Sequence, residues 1–119
     1  MSVEPCPNSP NCVSTMADAG DSPHYMEPVS YSGDASQVLE AIEAVITESG
    51  GTVTSTIDDG VDALFTTSLM RFKDDVSFRL DDEAKLLHFR SASRVGHSDL
   101  GANRKRMEEL VPRIIARLA

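Results

Sequence analysis

The sequence is poor in aromatic residues and has no apolar stretch long enough to cross a bilayer. It contains no tryptophan, four phenylalanines and two tyrosines among 119 residues. A transmembrane helix needs about 20 consecutive apolar residues, and the first residues lack the basic and apolar regions of a secretory signal. A chain of this length forms one domain with a modest aliphatic core. We therefore expect a soluble cytoplasmic protein without a membrane span.

Cationic residues are missing from the first 70 positions, which hold 11 Asp and Glu residues. All 11 Lys and Arg residues lie in 71–119, together with 8 acidic ones, and the net charge is −8. Acidic proteins with few lysines are typical of salt-loving organisms, whose cytoplasm screens surface repulsion. We do not expect such a chain to bind nucleic acid, although its C-terminal half can hold a local anion site.

The two cysteines, Cys6 and Cys12, lie among prolines and asparagines in residues 1–26, which lack periodicity. This segment predicts an irregular N-terminal arm packed on the domain. Its turns can bring the two sulfurs to bonding distance, whereas the missing secretory signal favours free thiols. The spacing is not that of a known zinc site. A disulfide, two reduced thiols and a metal-binding pair all stay open, and we predict no metal and no cofactor.

Residues 27–119 carry the periodic patterns of a single α+β domain. Apolar residues recur at helical spacing after an N-cap at Asp34, and a pair of glycines at 50–51 ends this helix. Four segments then alternate with period two, as in an antiparallel sheet with one buried face. These segments span 52–57, 61–69, 75–80 and 85–92.

A second helix is expected from about Gly101 to Leu118, with a kink or a division into two short helices at Pro112. A short edge strand over 28–32 precedes the first helix. The predicted order is therefore β-α-β-β-β-β-α, with both helices on one face of the sheet. This order resembles the TATA-binding-protein-like topology, a likeness of architecture that implies nothing about DNA.

The second helix begins with the cationic residues 104–106. The helix dipole disfavours positive charge at its N-terminus by about 0.3–1 kcal/mol per charge, so these side chains require negative partners. The candidates are Asp74, Asp75, Asp99 or an anionic ligand. Asp74 and Asp75 are adjacent on a predicted strand, so they point to opposite faces and cannot form a catalytic carboxylate pair.

A polar site is predicted around this helix start, and two interpretations of it stay open. One is a salt-bridge network in which the two aspartates pair with Arg94 and Arg104. The other is a pocket whose arginines bind phosphate or carboxylate groups. The residues assigned to this site are Arg71, Asp74, Asp75, Arg90, Ser91, Ser93, Arg94, Asp99, Asn103, Arg104 and Arg106.

Three segments together resemble a known protein family. They read CPNSPNCVS at 6–14, RFKDDVSF at 71–78 and RSASRVGHSDLGANRKR at 90–106. The resemblance is to domain-of-unknown-function family 1499 and extends over nearly the whole chain. It implies no activity, cofactor or catalytic residue. Other members of this family often show export signals or lipid anchors, and neither feature is seen in this sequence.

These observations favour a small noncatalytic binding or interaction module whose partner is an anionic small molecule or a protein. An enzyme using His97, Asp99 and the arginines is a weaker alternative, because consecutive residues such as 97–99 rarely form the serial hydrogen bonds of a catalytic triad. A redox- or metal-responsive domain using Cys6 and Cys12 is a further alternative.

Overall fold

The computed structural model describes residues 3–8, 11–67, 71–94 and 101–118. Two helices and six strands follow the order β1 (Cys12–Ser14), β2 (Val29–Ser30), α1 (Ala35–Glu48), β3 (Thr52–Ile57), β4 (Gly60–Thr66), β5 (Lys73–Asp81), β6 (Leu86–Ser93) and α2 (Ala102–Leu118). The strands form one antiparallel sheet in the order β1-β6-β5-β4-β3, and β2 pairs with a second part of β6. The predicted α+β class is confirmed, and the TATA-binding-protein-like topology stays a prediction.

The sheet separates a buried inner face from a polar outer face. Along β5 the side chains alternate between buried and partly exposed, as period-two geometry requires. Helix α1 packs against β3 and β4, and α2 packs against β6, β1 and α1. Both helices therefore cover the inner face, whose core contains Val38, Ile42, Val45, Ile46, Val61, Val76, Phe78, Leu80, Leu87, Phe89, Met107, Leu110 and Ile114.

The N-terminal arm contributes a strand, which corrects the prediction of an irregular segment. Cys12–Ser14 pairs with β6 so that Ser14 lies opposite Arg90. The backbone N–H of Ser93 also donates to the Asn11 carbonyl oxygen at 3.0 Å. All three residues of β1 are buried, so the strand shows no alternation that a sequence pattern could reveal.

Helix α1 begins and ends as predicted. The Asp34 carboxylate accepts from the Ser36 backbone N–H at 3.4 Å, which satisfies one of the donors left free at a helix N-terminus. At the other end Gly50 has a φ of 88°, a left-handed conformation that glycine adopts without steric cost.

Helix α2 runs through Pro112 as one element. Of the two predicted alternatives, the division into two short helices is therefore wrong, and the kink stays a prediction. Proline removes the hydrogen bond to the carbonyl oxygen of residue 108. Both Pro112 and Glu108 are exposed, so water can solvate that carbonyl oxygen. Within the described ranges, neither helix combines the length and the hydrophobicity that a membrane span requires.

Candidate functional site

The sheet divides the predicted polar site into two parts. Ser91 lies opposite Val76 in the register of β5 and β6, and Asp74 lies opposite Ser93, so these polar residues face inward. Asp75 and Arg90 alternate with them and face outward. The predicted opposite orientation of Asp74 and Asp75 is confirmed, and a single cluster of all the arginines is therefore geometrically impossible.

The inward residues meet the first turns of α2 in what we call the inner polar cluster: Asp74, Ser91, Ser93, Asn103 and Arg106. The Ser91 hydroxyl donates to Oδ1 of Asn103 at 2.5 Å. Nδ2 of Asn103 donates to Oγ of Ser93 and to the Asn11 carbonyl oxygen, both at 3.0 Å. Asn103 and Ser91 are fully buried. These bonds fasten the arm and α2 to β6.

Arg106 completes the inner polar cluster as a buried cation. Its Nη1 donates to Oδ1 of Asn103 at 3.1 Å and to Oγ of Ser91 at 3.3 Å. Its Nη2 lies 2.8 Å from Oδ2 of Asp74, whose side chain is 1% exposed. The contact between Arg106 and Asp74 is an ion pair without hydrogen-bond geometry, because neither carboxylate oxygen of Asp74 accepts a hydrogen bond within the described chain. The guanidinium also stacks over the Phe65 ring, 5.0 Å from its centroid.

Arg104 finds neutral rather than charged partners, which corrects the predicted pairing with an aspartate. Its Nη2 donates to the carbonyl oxygens of Ser22, Pro23 and Tyr25 at 3.0, 3.2 and 3.0 Å. The partial negative charge of three carbonyl oxygens satisfies the guanidinium without a carboxylate. Arg104 therefore fixes the later part of the arm to α2.

Four other predicted residues, Arg71, Asp75, Arg90 and Arg94, do not join the inner polar cluster, and Asp99 is not described. Arg94 pairs with Asp75 on the outer face through two hydrogen bonds of 2.9 and 3.0 Å, as the network interpretation predicted. Arg71 lies exposed in the turn between β4 and β5 with a φ of 59°. Asp99 and His97, which the enzyme interpretation uses, lie outside the described residues.

The outer face contains a cleft of about 410 Å³, which we call the outer cleft. Ligand sites for small molecules have volumes of roughly 300–1,000 Å³, so this space suits a small ligand. Its floor is formed by β3 to β6, and a residue of the arm supplies part of its wall. The residues that line it are Glu4, Thr54, Asp62, Ala63, Asp75, Val76, Ser77, Arg79 and Arg90.

Most charges in the outer cleft are already neutralised by neighbours. Nη1 and Nη2 of Arg79 donate to the two carboxylate oxygens of Asp62 at 2.9 and 3.1 Å. Asp75 is held in the same two-pronged way by Arg94. Such fork geometry occupies both oxygens of each carboxylate.

Arg90 differs from every other arginine of the predicted site. Its Nε is buried and has no hydrogen-bond partner, and no described carboxylate forms an ion pair with it. A buried donor without a partner costs about 1–3 kcal/mol. Arg90 thus lines the outer cleft with a guanidinium that forms no ion pair with a described carboxylate and whose buried Nε has no hydrogen-bond partner.

The arm reaches the outer cleft next to Arg90. The Ser14 hydroxyl donates to the Glu4 carbonyl oxygen at 2.6 Å, and Ser14 is the cross-strand neighbour of Arg90. Cys6 and Cys12 form a disulfide, which ties the arm to β1, and Val3 is buried at 7% exposure. These three contacts place Glu4 at the cleft.

No trio of His, Cys, Asp or Glu side chains suited to a metal ion occurs among the described residues. Sequence reasoning did not assign Glu4, Asp62 or Arg79 to the site. The sequence could have assigned Arg79 to the outer face, because it alternates with buried residues on the same strand as Asp75. No sequence pattern places Glu4 at the cleft, since its position depends on the fold of the arm.

Taken together, the fold and site define a small α+β domain with one buried polar cluster and one arginine-floored cleft. The chain belongs to the family described as protein of unknown function DUF1499, whose model matches residues 2–114. This confirms the resemblance seen in the three sequence motifs. Comparison with curated proteins and with solved structures gave no match.

Proposed function

We propose that this protein is a small noncatalytic binding module whose ligand presents a carboxylate or phosphate group to Arg90 in the outer cleft. The observation that carries this proposal is the Arg90 guanidinium, with a buried Nε that lacks a hydrogen-bond partner. A planar guanidinium matches the oxygens of carboxylate and phosphate groups. An anion in the cleft would supply the counter-charge that no described carboxylate gives Arg90.

The charges around the cleft support binding rather than catalysis. Asp62 and Asp75 are the carboxylates of the cleft floor, and each is engaged by an arginine fork. Both carboxylates are therefore directed at an arginine of the protein, whereas a general base must be directed at the proton that it removes. Within the described ranges, the cleft lining contains no histidine or cysteine that could act instead.

The location of the module remains a separate prediction. A cytoplasmic protein was expected from the sequence, whereas disulfides persist mainly in oxidising compartments. The Cys6–Cys12 bond therefore favours an oxidising location. Anion binding at Arg90 does not depend on which compartment is correct.

Titration with inorganic phosphate and with acetate at constant ionic strength tests the proposal. Arg90→Gln should bind phosphate about ten- to a hundredfold more weakly than wild type, the factor expected for one lost charged hydrogen-bond contact. Arg113→Gln is the matched control, because it removes an exposed guanidinium that pairs with Glu48 outside the cleft lining. Equal binding by wild type and Arg90→Gln, or no binding by wild type, would contradict the proposal.

A further inference from the structure

We infer that the ligand of the outer cleft is a small zwitterion, whose anionic group contacts Arg90 and whose cationic group contacts Glu4. This inference rests on the proposed function and adds the second half of the ligand. A single anion would satisfy Arg90 but would leave the Glu4 carboxylate unmatched at the same cleft.

Two charged residues of the cleft lining have no ion-pair partner among the described residues, one positive and one negative. Once the Arg79–Asp62 and Asp75–Arg94 pairs are set aside, Arg90 and Glu4 are the charged lining residues left. Neither forms an ion pair with a described residue, and they do not pair with each other. The space between them can therefore hold a molecule that carries both charges.

The backbone geometry keeps the two charges close together. Ser14 is the cross-strand neighbour of Arg90, and such neighbours have Cβ atoms about 4.5–5.5 Å apart. The Ser14 hydroxyl in turn holds the Glu4 carbonyl oxygen at 2.6 Å. The Glu4 backbone is thus held beside β1, the strand next to Arg90, and both residues line the cleft, so one small molecule can reach both side chains.

The arm is held firmly enough to serve as part of a binding site. The disulfide at Cys6 fixes one side of Glu4, and the burial of Val3 fixes the other. A backbone held at both ends loses less conformational entropy when a ligand binds. Glu4 itself is exposed, so its side chain is accessible to an incoming cationic group.

The test compares three probes built on the same four-carbon chain: butyrate, 4-aminobutyrate and butylammonium. With wild type we expect 4-aminobutyrate to bind about two- to fivefold more tightly than butyrate, the increment of one exposed ion pair. Glu4→Gln should abolish this difference without weakening the binding of butyrate. Glu27→Gln, an exposed acidic residue outside the cleft lining, is the control for the change in net charge.

The outcomes separate the inference from the proposed function. If butyrate binds in an Arg90-dependent way but the amino group adds nothing, the zwitterion inference is overturned and the anion-binding module stands. If Glu4→Gln and Glu27→Gln reduce the preference equally, the inference is also overturned. If Arg90→Gln leaves butyrate binding unchanged, or wild type binds none of the probes, the proposed function itself fails.

Discussion

The inner polar cluster and the outer cleft lie back to back on the same two strands, yet they use charge in opposite ways. Arg106 is largely buried against Asp74, Ser91 and Asn103, with an ion pair to Asp74 and hydrogen bonds from Nη1 to Ser91 and Asn103. Arg90 alternates with Ser91 along β6 and has no partner in the described chain. Adjacent residues of one motif can therefore hold the fold together on one side and remain available for a ligand on the other.

The largest expected effect comes from breaking the ion pair of the inner polar cluster. Asp74→Asn leaves the Arg106 cation buried without a counter-charge, which should lower the free energy of unfolding by about 3–5 kcal/mol. Asp75→Asn is the matched control, since its ion pair is about half exposed and should contribute no more than about 1 kcal/mol. Urea denaturation measures both.

A double variant tests whether the stability lost in Asp74→Asn comes from the unpaired charge of Arg106. Asp74→Leu with Arg106→Met replaces both charges by apolar side chains of similar size, and should recover most of the stability lost in Asp74→Asn. Equal stability of Asp74→Asn and Asp75→Asn would show that the inner pair is not the structural one.

Removing the disulfide should have the next largest effect. The Cys6→Ser/Cys12→Ser variant opens a loop with a sequence separation of 6, and the chain-entropy model gives a loss of about 2 kcal/mol in unfolding free energy. Because the arm also supplies Glu4 to the cleft, hydrogen exchange of residues 3–8 should accelerate as well. Unchanged exchange in this segment would mean that the disulfide does not fix the cleft wall.

The outer face also contains a partly buried histidine, His88, whose effect on stability should be smaller. Burial lowers the pKa of His88 below its ordinary value of 6.5, and the Asp81 carboxylate partly opposes this shift. The Thr15 hydroxyl contacts Nδ1 of His88 at 2.9 Å. The unfolded chain therefore binds a proton more readily than the folded one, and stability should fall as the pH drops below the ordinary histidine pKa.

Measuring the free energy of unfolding at about pH 7.5 and about pH 5 tests whether stability falls as the pH drops. The His88→Gln variant should lose less stability over this interval than wild type does. A pH dependence that is unchanged by the substitution would mean that His88 titrates as it does in the unfolded chain.

The smallest expected loss of stability is that of Arg90→Gln. The substitution breaks no ion pair with a described carboxylate and removes a buried donor without a partner, which costs about 1–3 kcal/mol, so the free energy of unfolding should stay the same or rise. Arg106→Gln should lower it. A comparable loss in both variants, measured by urea denaturation, would place Arg90 in the structural network instead of the binding site.

Much of the fold could be predicted because its elements show local periodicity. The period-two alternation from Thr52 onward predicted β3 to β6, and the apolar spacing after Asp34 predicted α1. Strand β1 could not be predicted in this way, because it consists of three buried residues whose partner strand lies about 75 residues further along the chain. The division of α2 at Pro112 was wrong because the exposed position of Pro112 lets the helix continue through it, and the kink stays a prediction.

The sequence predicted many residues of the candidate site, but it did not predict which of them contact each other. The alternation that separates Asp74 from Asp75 applies equally to Arg90 and Ser91, so the division by the sheet was within reach of the sequence. The pairing of Arg106 with Asp74, and of Arg104 with three carbonyl oxygens, depends on how α2 docks on the sheet. Contacts between distant segments of this kind have no local signal.

Side-chain NMR of the arginine Nε–H groups tests the central claim most directly, because it observes both arginines in unmodified protein. With Arg90→Gln and Arg106→Gln used for assignment, titration with inorganic phosphate at constant ionic strength should shift the Arg90 resonance. The Arg106 resonance should stay in place. A shift of Arg106 with Arg90 unmoved, or a titration in which neither resonance moves, would contradict the division between a structural and an available arginine.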